Sequence, residues 1–344
     1  MFPSIDGDPS RYLGFLKAHE ETVTARCHTP EVVTGKAAHE GLFAAAGLNV
    51  ALSVEPSWAN IADKLAFNLL DGAVMLAPLA LACAGGLRGA KIDLAVPMSL
   101  SSNGNAITLA ASAQSAFAAG GIEAVAAAKR PRLAVVHGFS SHDLLLRHWL
   151  AGQGVMPERD VDITVLPPAE MVGALAAGAI DGFCAGAPWG LVATKAGLGF
   201  TAALSRDIWP DHPEKCLALR GDFATAEPAR LEALLGVLLH AQRLCAAPDG
   251  RQALSQLLAR PEYLDLPAPL LLAALDPAQG GPAFTAPYPA PAYGQWYARQ
   301  MQLWGRAPAG LEALAAQLYR PDLFLRAGGE ARDIAEPPAN ASLD

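Results

Sequence analysis

Short runs of β-branched and other apolar residues alternate with Ala-rich stretches of helical periodicity between about residues 22 and 205. This alternation predicts repeated strand–helix–strand units, and therefore an α/β fold with mostly parallel sheets. The predicted strands are residues 22–27, 49–54, 73–75, 93–98, 105–109, 133–136, 161–166 and 182–184. The predicted helices are residues 31–46, 57–70, 78–85, 112–128, 141–152, 168–177 and 188–197.

The pattern changes after residue 205, where strand-like runs nearly vanish and helices dominate. A Pro-rich stretch over residues 282–294 interrupts these helices and indicates a surface loop. At roughly 150 residues per domain, a chain of this length predicts about two lobes. The predicted helices of this part are residues 228–246, 251–258, 293–305 and 310–318.

Composition narrows the class of protein. The 344 residues are 52% hydrophobic and 17% charged, which excludes a disordered chain. A formal net charge of −8 argues against nucleic acid as a direct partner. The five cysteines are widely spaced and form no CxxC pair, so they predict neither a disulfide framework nor a zinc site.

The first residues, MFPSIDGDPS, contain neither a basic region nor the apolar core of a secretory signal. If this is the native start, we expect the protein to stay in the cytoplasm. We also expect no membrane insertion, because no window of 18 residues is apolar without Gly, Pro or charge.

The sequence carries no GxSxG, P-loop, HExxH or dinucleotide-binding motif. His142 and His148 are six positions apart, which places them on different faces of a helix rather than around one metal. No paired acid and base stand out. These absences predict no catalytic residues, no metal and no cofactor.

Polar residues follow several predicted strands where a helix begins. In open α/β sheets, ligands bind at the carboxyl ends of strands, and the N–H groups of helix N-termini favour anions. Each residue also has an ordinary interpretation: Trp58 and Trp189 as core aromatics, Asn103 and Asn105 as turn residues, His142 as a buried neutral or capping side chain, and residues 212–215 as a solvated loop. The junctions are residues 55–58, 101–105, 138–143 and 186–189.

Five segments together carry a resemblance to a known family: EPSWANIADKLAFNLLDGAVMLAP, LSSNGNAITLA, FSSHDLLLRHWLAGQG, GAPWG and IWPDHPEKCLALR. The chain resembles the nitrate-binding family of periplasmic-binding-protein-like proteins over residues 31–326. That family includes the solute-binding component of nitrate/bicarbonate ABC transporters and the cytoplasmic nitrate/nitrite sensor. The resemblance implies a type II periplasmic-binding-protein-like fold, α/β in class, with two lobes, a cleft between them and a helical C-terminal segment.

The resemblance also implies a set of ligand-binding residues. Such a set suits a planar monoanion, which needs a cation, neutral donors and an apolar surface. The implied ligand-binding residues are Trp58, Gly104, Asn105, His142 and Lys215. Possible residues of the surrounding layer are Arg26, His28, Ser57, Asn103, Ser141, Ala187 and Trp189.

Two departures from the family pattern bear on the ligand. Ala187 replaces the acidic residue of a G-E-P-W motif, which removes a carboxylate that could partner Lys215. The segment from Arg26 to Glu31 replaces the usual apolar-Pro-Leu-x-Asp sequence. Two interpretations are open: Arg26 or His28 adds positive charge to the cleft, or the N-terminal lobe is remodelled.

The lobes are expected at residues 20–106 plus 206–327 and at 107–205, with residues 1–19 and 328–344 as flexible termini. The missing signal favours a cytoplasmic sensor in which nitrate or nitrite controls an antiterminator-type regulatory protein. The alternative is the substrate-binding component of a nitrate/bicarbonate-type ABC transporter, whose partner is the permease. A third hypothesis is an enzyme on the same fold.

Overall fold

A computed structural model of the protein describes residues 32–55, 57–285 and 287–340, and before them the backbone of three short strands. The strands are β1 Tyr12–Leu13, β2 Ala18–His19, β3 Thr22–Thr24, β4 Asn49–Ala51, β5 Val54–Glu55, β6 Gly72–Leu76, β7 Leu94–Ser99, β8 Ser102–Asn103, β9 Asn105–Ala110, β10 Arg132–Val135, β11 Asp162–Val165, β12 Gly182–Gly186, β13 Gly199–Leu204, β14 Lys215–Arg220 and β15 Pro282–Ala283.

The helices alternate with these strands up to residue 226 and then dominate the chain. They are α1 Val32–His39, α2 Leu42–Ala45, α3 Trp58–Ala66, α4 Ala77–Ala84, α5 Gln114–Ala128, α6 Ser141–Gly152, α7 Pro168–Ala176, α8 Trp189–Lys195, α9 Ser205–Ile208, α10 Gly221–Ala226, α11 Pro228–Ala246, α12 Pro248–Leu258, α13 Ala268–Ala274, α14 Pro291–Leu303, α15 Leu311–Leu318 and α16 Pro321–Arg326. Short 3₁₀ turns occupy Ala111–Ala113 and Pro277–Gln279.

Two sheets organise the molecule. One has five strands in the order β11-β10-β12-β9-β13, and the other has three in the order β6-β14-β7. In the larger sheet β10 runs parallel to β11 and β12, whereas β9 runs antiparallel to β12 and β13. In the smaller sheet β14 lies between β6 and β7 and runs antiparallel to both. The class is therefore α/β as predicted, but the larger sheet is mixed and the smaller sheet is antiparallel.

The expectation of mostly parallel sheets is wrong because the chain passes from one sheet to the other through strands that run antiparallel to their neighbours. β9 follows the small sheet's β7, and β14 follows the large sheet's β13; both run against their neighbours. Local alternation along the sequence carries no information on the direction in which a strand joins a distant sheet. β14 was not predicted at all, since its run Cys216–Leu219 is buried on both faces and does not alternate.

The two crossings between sheets lie side by side. Ala106 at the start of β9 pairs with Leu204 at the end of β13. This register is compatible with the predicted lobe boundaries. The boundaries and the flexibility of the termini stay predictions. Among the described helices, none is both long and apolar enough to pass through a bilayer.

A large hydrophobic core connects both sheets with the C-terminal helices, and a second cluster that includes Ile107, Leu133 and Leu146 lies under the five-stranded sheet. Helix α11 carries one buried polar side chain into the first core. Gln242 Nε2 donates to the carbonyl oxygens of Ser99 at 3.0 Å and Leu100 at 2.8 Å, where β7 ends. The bonds fix α11 against the strand end that leads toward β8 and β9.

We expect Gln242→Leu to lower the free energy of unfolding by about 1–3 kcal/mol, because the substitution removes a donor from two buried carbonyl groups. Urea unfolding followed by circular dichroism measures this change. Gln252→Leu, at an exposed position of α12, is the matched control and should change stability by less than about 0.5 kcal/mol. Equal stability of the two variants would show that Gln242 has no such role.

Candidate ligand-binding cavity

The five residues that the resemblance implies as ligand-binding line one cavity, together with three of the surrounding residues. Within the cavity, a volume of ≈ 90 Å³ is open to the centres of water-sized groups. The eight predicted lining residues are Trp58, Asn103, Gly104, Asn105, His142, Ala187, Trp189 and Lys215. The sequence motifs therefore converge in space.

Two serine caps position side chains at the cavity. Ser57 Oγ accepts a hydrogen bond from Asn60 N at 3.1 Å, so that α3 begins with Trp58, which is buried. Ser140 Oγ accepts from Asp143 N at 3.0 Å, so that His142 lies in the first turn of α6. The sequence predicts Ser57 as the cap of α3, and for α6 it leaves Ser140 and Ser141 as alternatives, of which the structure shows Ser140.

The centre of the polar part of the cavity is the buried carboxylate of Glu214. Its Oε2 accepts hydrogen bonds from Asn105 Nδ2 at 2.7 Å and from Ser141 Oγ at 2.5 Å. Its Oε1 accepts from Lys215 Nζ at 2.5 Å. Burial by itself raises the pKa of Glu214, but the adjacent Lys215 ammonium lowers it, and the pKa ends below its ordinary value. Glu214 is therefore ionised at neutral pH.

Glu214 determines which hydrogen-bonding atom of Asn105 is available to a ligand. Because a carboxylate accepts but cannot donate, the amide NH₂ of Asn105 must face Glu214, and Oδ1 points elsewhere. Within the described residues, the buried Asn105 Oδ1 has no hydrogen-bond partner. A Cβ added at Gly186, which also lines the cavity, would lie 3.4 Å from this oxygen. Asn105 Oδ1 is thus an unused acceptor next to a cavity-lining glycine.

Lys215 supplies the positive charge of the site. Its ammonium lies 5.9 Å from the centroid of the Trp58 ring, within the range of a cation–π interaction. One of its three N–H donors is used by Glu214. Glu214, rather than a residue at position 187, is therefore the carboxylate partner of Lys215.

His142 is buried and neutral. Burial lowers its pKa to about 4, against the partial opposition of Glu214. Its Nε2 is 3.9 Å from Glu214 Oε1, too far for a hydrogen bond. Its buried Nδ1 has no hydrogen-bond partner in the described part of the chain. A neutral imidazole with this geometry can donate through one nitrogen and accept through the other.

An aromatic cluster supports the segment that carries Glu214 and Lys215. Trp209 is completely buried, and its ring centroid lies 4.7 Å from that of Trp296 and 6.0 Å from that of Tyr297. Tyr297 Oη donates to the carbonyl oxygen of Pro213 at 2.8 Å. The C-terminal helix α14 thus holds the residue immediately before Glu214.

Gly104 is required by the close approach of another backbone. Its φ is +87°, and a Cβ at this position would lie 2.9 Å from Pro282 Cβ and 3.0 Å from Pro282 Cα. Its carbonyl oxygen accepts a hydrogen bond from Ala187 N at 2.8 Å. Gly104 therefore joins β15 and the segment that leads into α8 at one rim of the cavity.

Of the other four residues predicted for the surrounding layer, the two that the structure describes do not line the cavity. Ser141 acts through Glu214, and Ser57 acts as the cap of α3. Arg26 and His28 lie outside the described residues. Among the described residues, no group of three His, Cys, Asp or Glu side chains is placed to hold a metal ion.

Sequence reasoning missed Glu214, which it treated only as part of a motif. A signal was present: the opposite charges of Glu214 and Lys215 immediately precede the buried apolar run of β14. It also missed Pro282 and Phe284, which line the cavity although their Pro-rich stretch was expected to be a surface loop. Phe284 is buried, since the segment returns to pair β15 with β8.

The neutral state of His142 predicts a loss of stability in acid. Between its ordinary pKa of 6.5 and the folded value of about 4, the unfolded chain binds a proton at this residue that the folded protein does not. The free energy of unfolding should therefore fall as the pH drops through this window. Urea unfolding at pH 7.5, 6 and 5 should show a smaller fall for His142→Gln than for the wild type. Parallel pH profiles would contradict a buried neutral His142.

The NMT1-like family model matches residues 22–259 of the chain. Among curated proteins, the chain is 41% identical over 235 residues to the bicarbonate transport ATP-binding protein CmpC of Synechocystis sp., covering 66% of this chain and 35% of that protein. It is 36% identical over 318 residues to the nitrate import ATP-binding protein NrtC of the same organism, covering 84% and 47%. The chain thus spans between a third and a half of these relatives.

The chain covers a larger share of a binding protein than of the two ATP-binding relatives. The nitrate/nitrite binding protein NrtA of Synechococcus elongatus is 30% identical over 336 residues, covering 87% of this chain and 75% of that protein. The crystal structure of the periplasmic nitrate-binding protein NrtA from Synechocystis superposes with a TM-score of 0.79 at 25% identity, covering 87% and 85%. The fold is that of periplasmic binding proteins, and the chain belongs to the NMT1-like family, as a homologue of the NrtA nitrate-binding proteins.

Proposed function

We propose that the protein is the substrate-binding component of an ABC importer and that it captures a small oxyanion at Lys215. The observation that carries this proposal is the cavity in which Lys215, Asn105, His142 and Trp58 converge around Glu214. The relatives are named for nitrate, nitrite and bicarbonate, so these three anions are the first candidates.

The charge arrangement suits reversible capture. Glu214 holds the Lys215 ammonium in place through one hydrogen bond, and within the described residues this leaves two N–H donors of the ammonium for the ligand. Hydrogen bonds from Asn105 and Ser141 spread the negative charge of Glu214 away from Lys215. An oxyanion at Lys215 then gains charge-assisted hydrogen bonds in a site of low dielectric constant.

The relatives favour the transport component over the cytoplasmic sensor that the sequence alone favoured. They are named as nitrate or bicarbonate transport proteins, and the NrtA whose structure superposes is named as periplasmic. A periplasmic location and an ABC permease as partner follow from this proposal, and an antiterminator partner does not. The chain itself has no P-loop motif, so its match to the two ATP-binding relatives does not extend to nucleotide binding. We propose no catalytic role.

Isothermal titration calorimetry with nitrate, nitrite and bicarbonate tests the proposal. We expect micromolar affinity for at least one anion, and we expect Lys215→Met to weaken it by about 2–5 kcal/mol, because the substitution removes a buried cationic contact. Lys195→Met, at the exposed end of α8, is the charge-matched control and should bind as the wild type does.

Two results would contradict the proposal. One is binding by Lys215→Met within twofold of the wild type. The other is the absence of heat with every anion tested, the organic series below included, by a protein that circular dichroism shows to be folded.

A further inference from the structure

The cavity has an apolar lining that the family motifs do not include. Five large side chains form it: Leu258, Leu264, Leu271, Leu275 and Phe284. All five are buried, and all come from one stretch of chain in which α12 packs against α13. The hydrogen-bonded group around Glu214 comes from other parts of the chain, so the cavity joins a charged group to an apolar one.

The volume of the cavity exceeds what an inorganic oxyanion fills. One water-sized sphere occupies roughly 10–15 Å³, and the ≈ 90 Å³ counts only the space open to the centres of such spheres, so the cavity accommodates at least about six to nine water-sized groups. Nitrate or bicarbonate would occupy only about half of these positions. The rest of the space has to be filled by water or by another part of the ligand.

Water is a poor occupant of the space beside the apolar lining. A buried water needs two or more polar partners, and side chains such as Leu264, Leu271 and Phe284 offer none. An apolar group there gains both the transfer free energy and the dispersion contacts that an empty cavity lacks. An inorganic anion in the same position would lose hydration without gaining a hydrogen bond.

We propose that the ligand is an organic oxyanion, a carboxylate or sulfonate with a short apolar group, of about six to nine non-hydrogen atoms in all. Its oxyanion lies at Lys215, and its apolar group contacts Leu264, Leu271 and Phe284. This inference rests on the proposed function, because it assumes that the charged end of the ligand is held by Lys215.

Calorimetry of the full chain with a homologous series tests the inference. The series comprises formate, acetate, propionate, butyrate, pentanoate and hexanoate, with nitrate as the inorganic reference and ethanesulfonate and hexanesulfonate as the alternative head group. We expect affinity to rise about fourfold for each added CH₂ until the cavity is filled, from ~0.8 kcal/mol per buried CH₂. The comparison at equal chain length shows which head group the site prefers.

A cavity-filling variant tests whether the gain in affinity with chain length arises at the apolar lining. Ala274 lines the cavity at the end of α13, and Ala274→Leu should weaken hexanoate at least tenfold while leaving formate within twofold. Ala268→Leu, in the same helix but outside the cavity lining, is the matched control and should change neither. If Ala274→Leu does not fold, Ala274→Val carries the same comparison with a smaller side chain.

The outcomes separate the two proposals. If formate or nitrate binds as tightly as hexanoate, or if Ala274→Leu weakens all anions equally, the organic ligand is wrong and the oxyanion site at Lys215 stands. If Lys215→Met binds the whole series unchanged, the oxyanion site is wrong and the organic oxyanion fails with it. A gain with chain length that Ala274→Leu removes and Lys215→Met lowers throughout supports both.

Discussion

A buried carboxylate with no partners is so unfavourable that it would take up a proton, and the site depends on how Glu214 avoids this. It accepts three hydrogen bonds, from Asn105, Ser141 and Lys215. These donors come from β9, from α6 and from the first residue of β14. Satisfying one anion therefore fixes three elements from distant parts of the sequence at a common point.

The same carboxylate sets the character of the cavity. It turns the Asn105 amide so that an acceptor is left over, and it offsets the charge of Lys215 without using all of its donors. Burial lowers the pKa of His142, so this imidazole is neutral beside the ionised Glu214. In the proposed function, an oxyanion would meet the Lys215–Glu214 pair rather than an isolated cation, which would moderate its affinity and favour release.

Local features of the sequence predicted much of this structure. Ser57 marked the start of α3, and the pair Ser140 and Ser141 marked the start of α6 without deciding which of them is the cap. Helix α11 has the bounds that its periodicity predicted. The motif residues meet in one cavity because they lie at strand ends: Trp58 and His142 follow strands, whereas Asn105 and Lys215 begin them. The direction of β9 and β14, the burial of Phe284 and the bonds of Glu214 are long-range consequences of chain crossing, and no local pattern encodes them.

The C-terminal tail reaches helix α14, which supports the site, through hydrogen bonds. Trp296 Nε1 donates to the carbonyl oxygen of Pro338 at 2.9 Å, and Gln300 Nε2 donates to Asn340 Oδ1 at 3.0 Å. The Trp296 ring packs at a tilt of 52° against Trp209 in the aromatic cluster below residues 213–215. A chain shortened before residue 338 would leave a buried indole N–H without its acceptor. Residues 329–340, the last that the structure describes, contain neither helix nor strand and do not line the cavity. They nevertheless support the aromatic cluster behind it, so that shortening them would loosen the cavity.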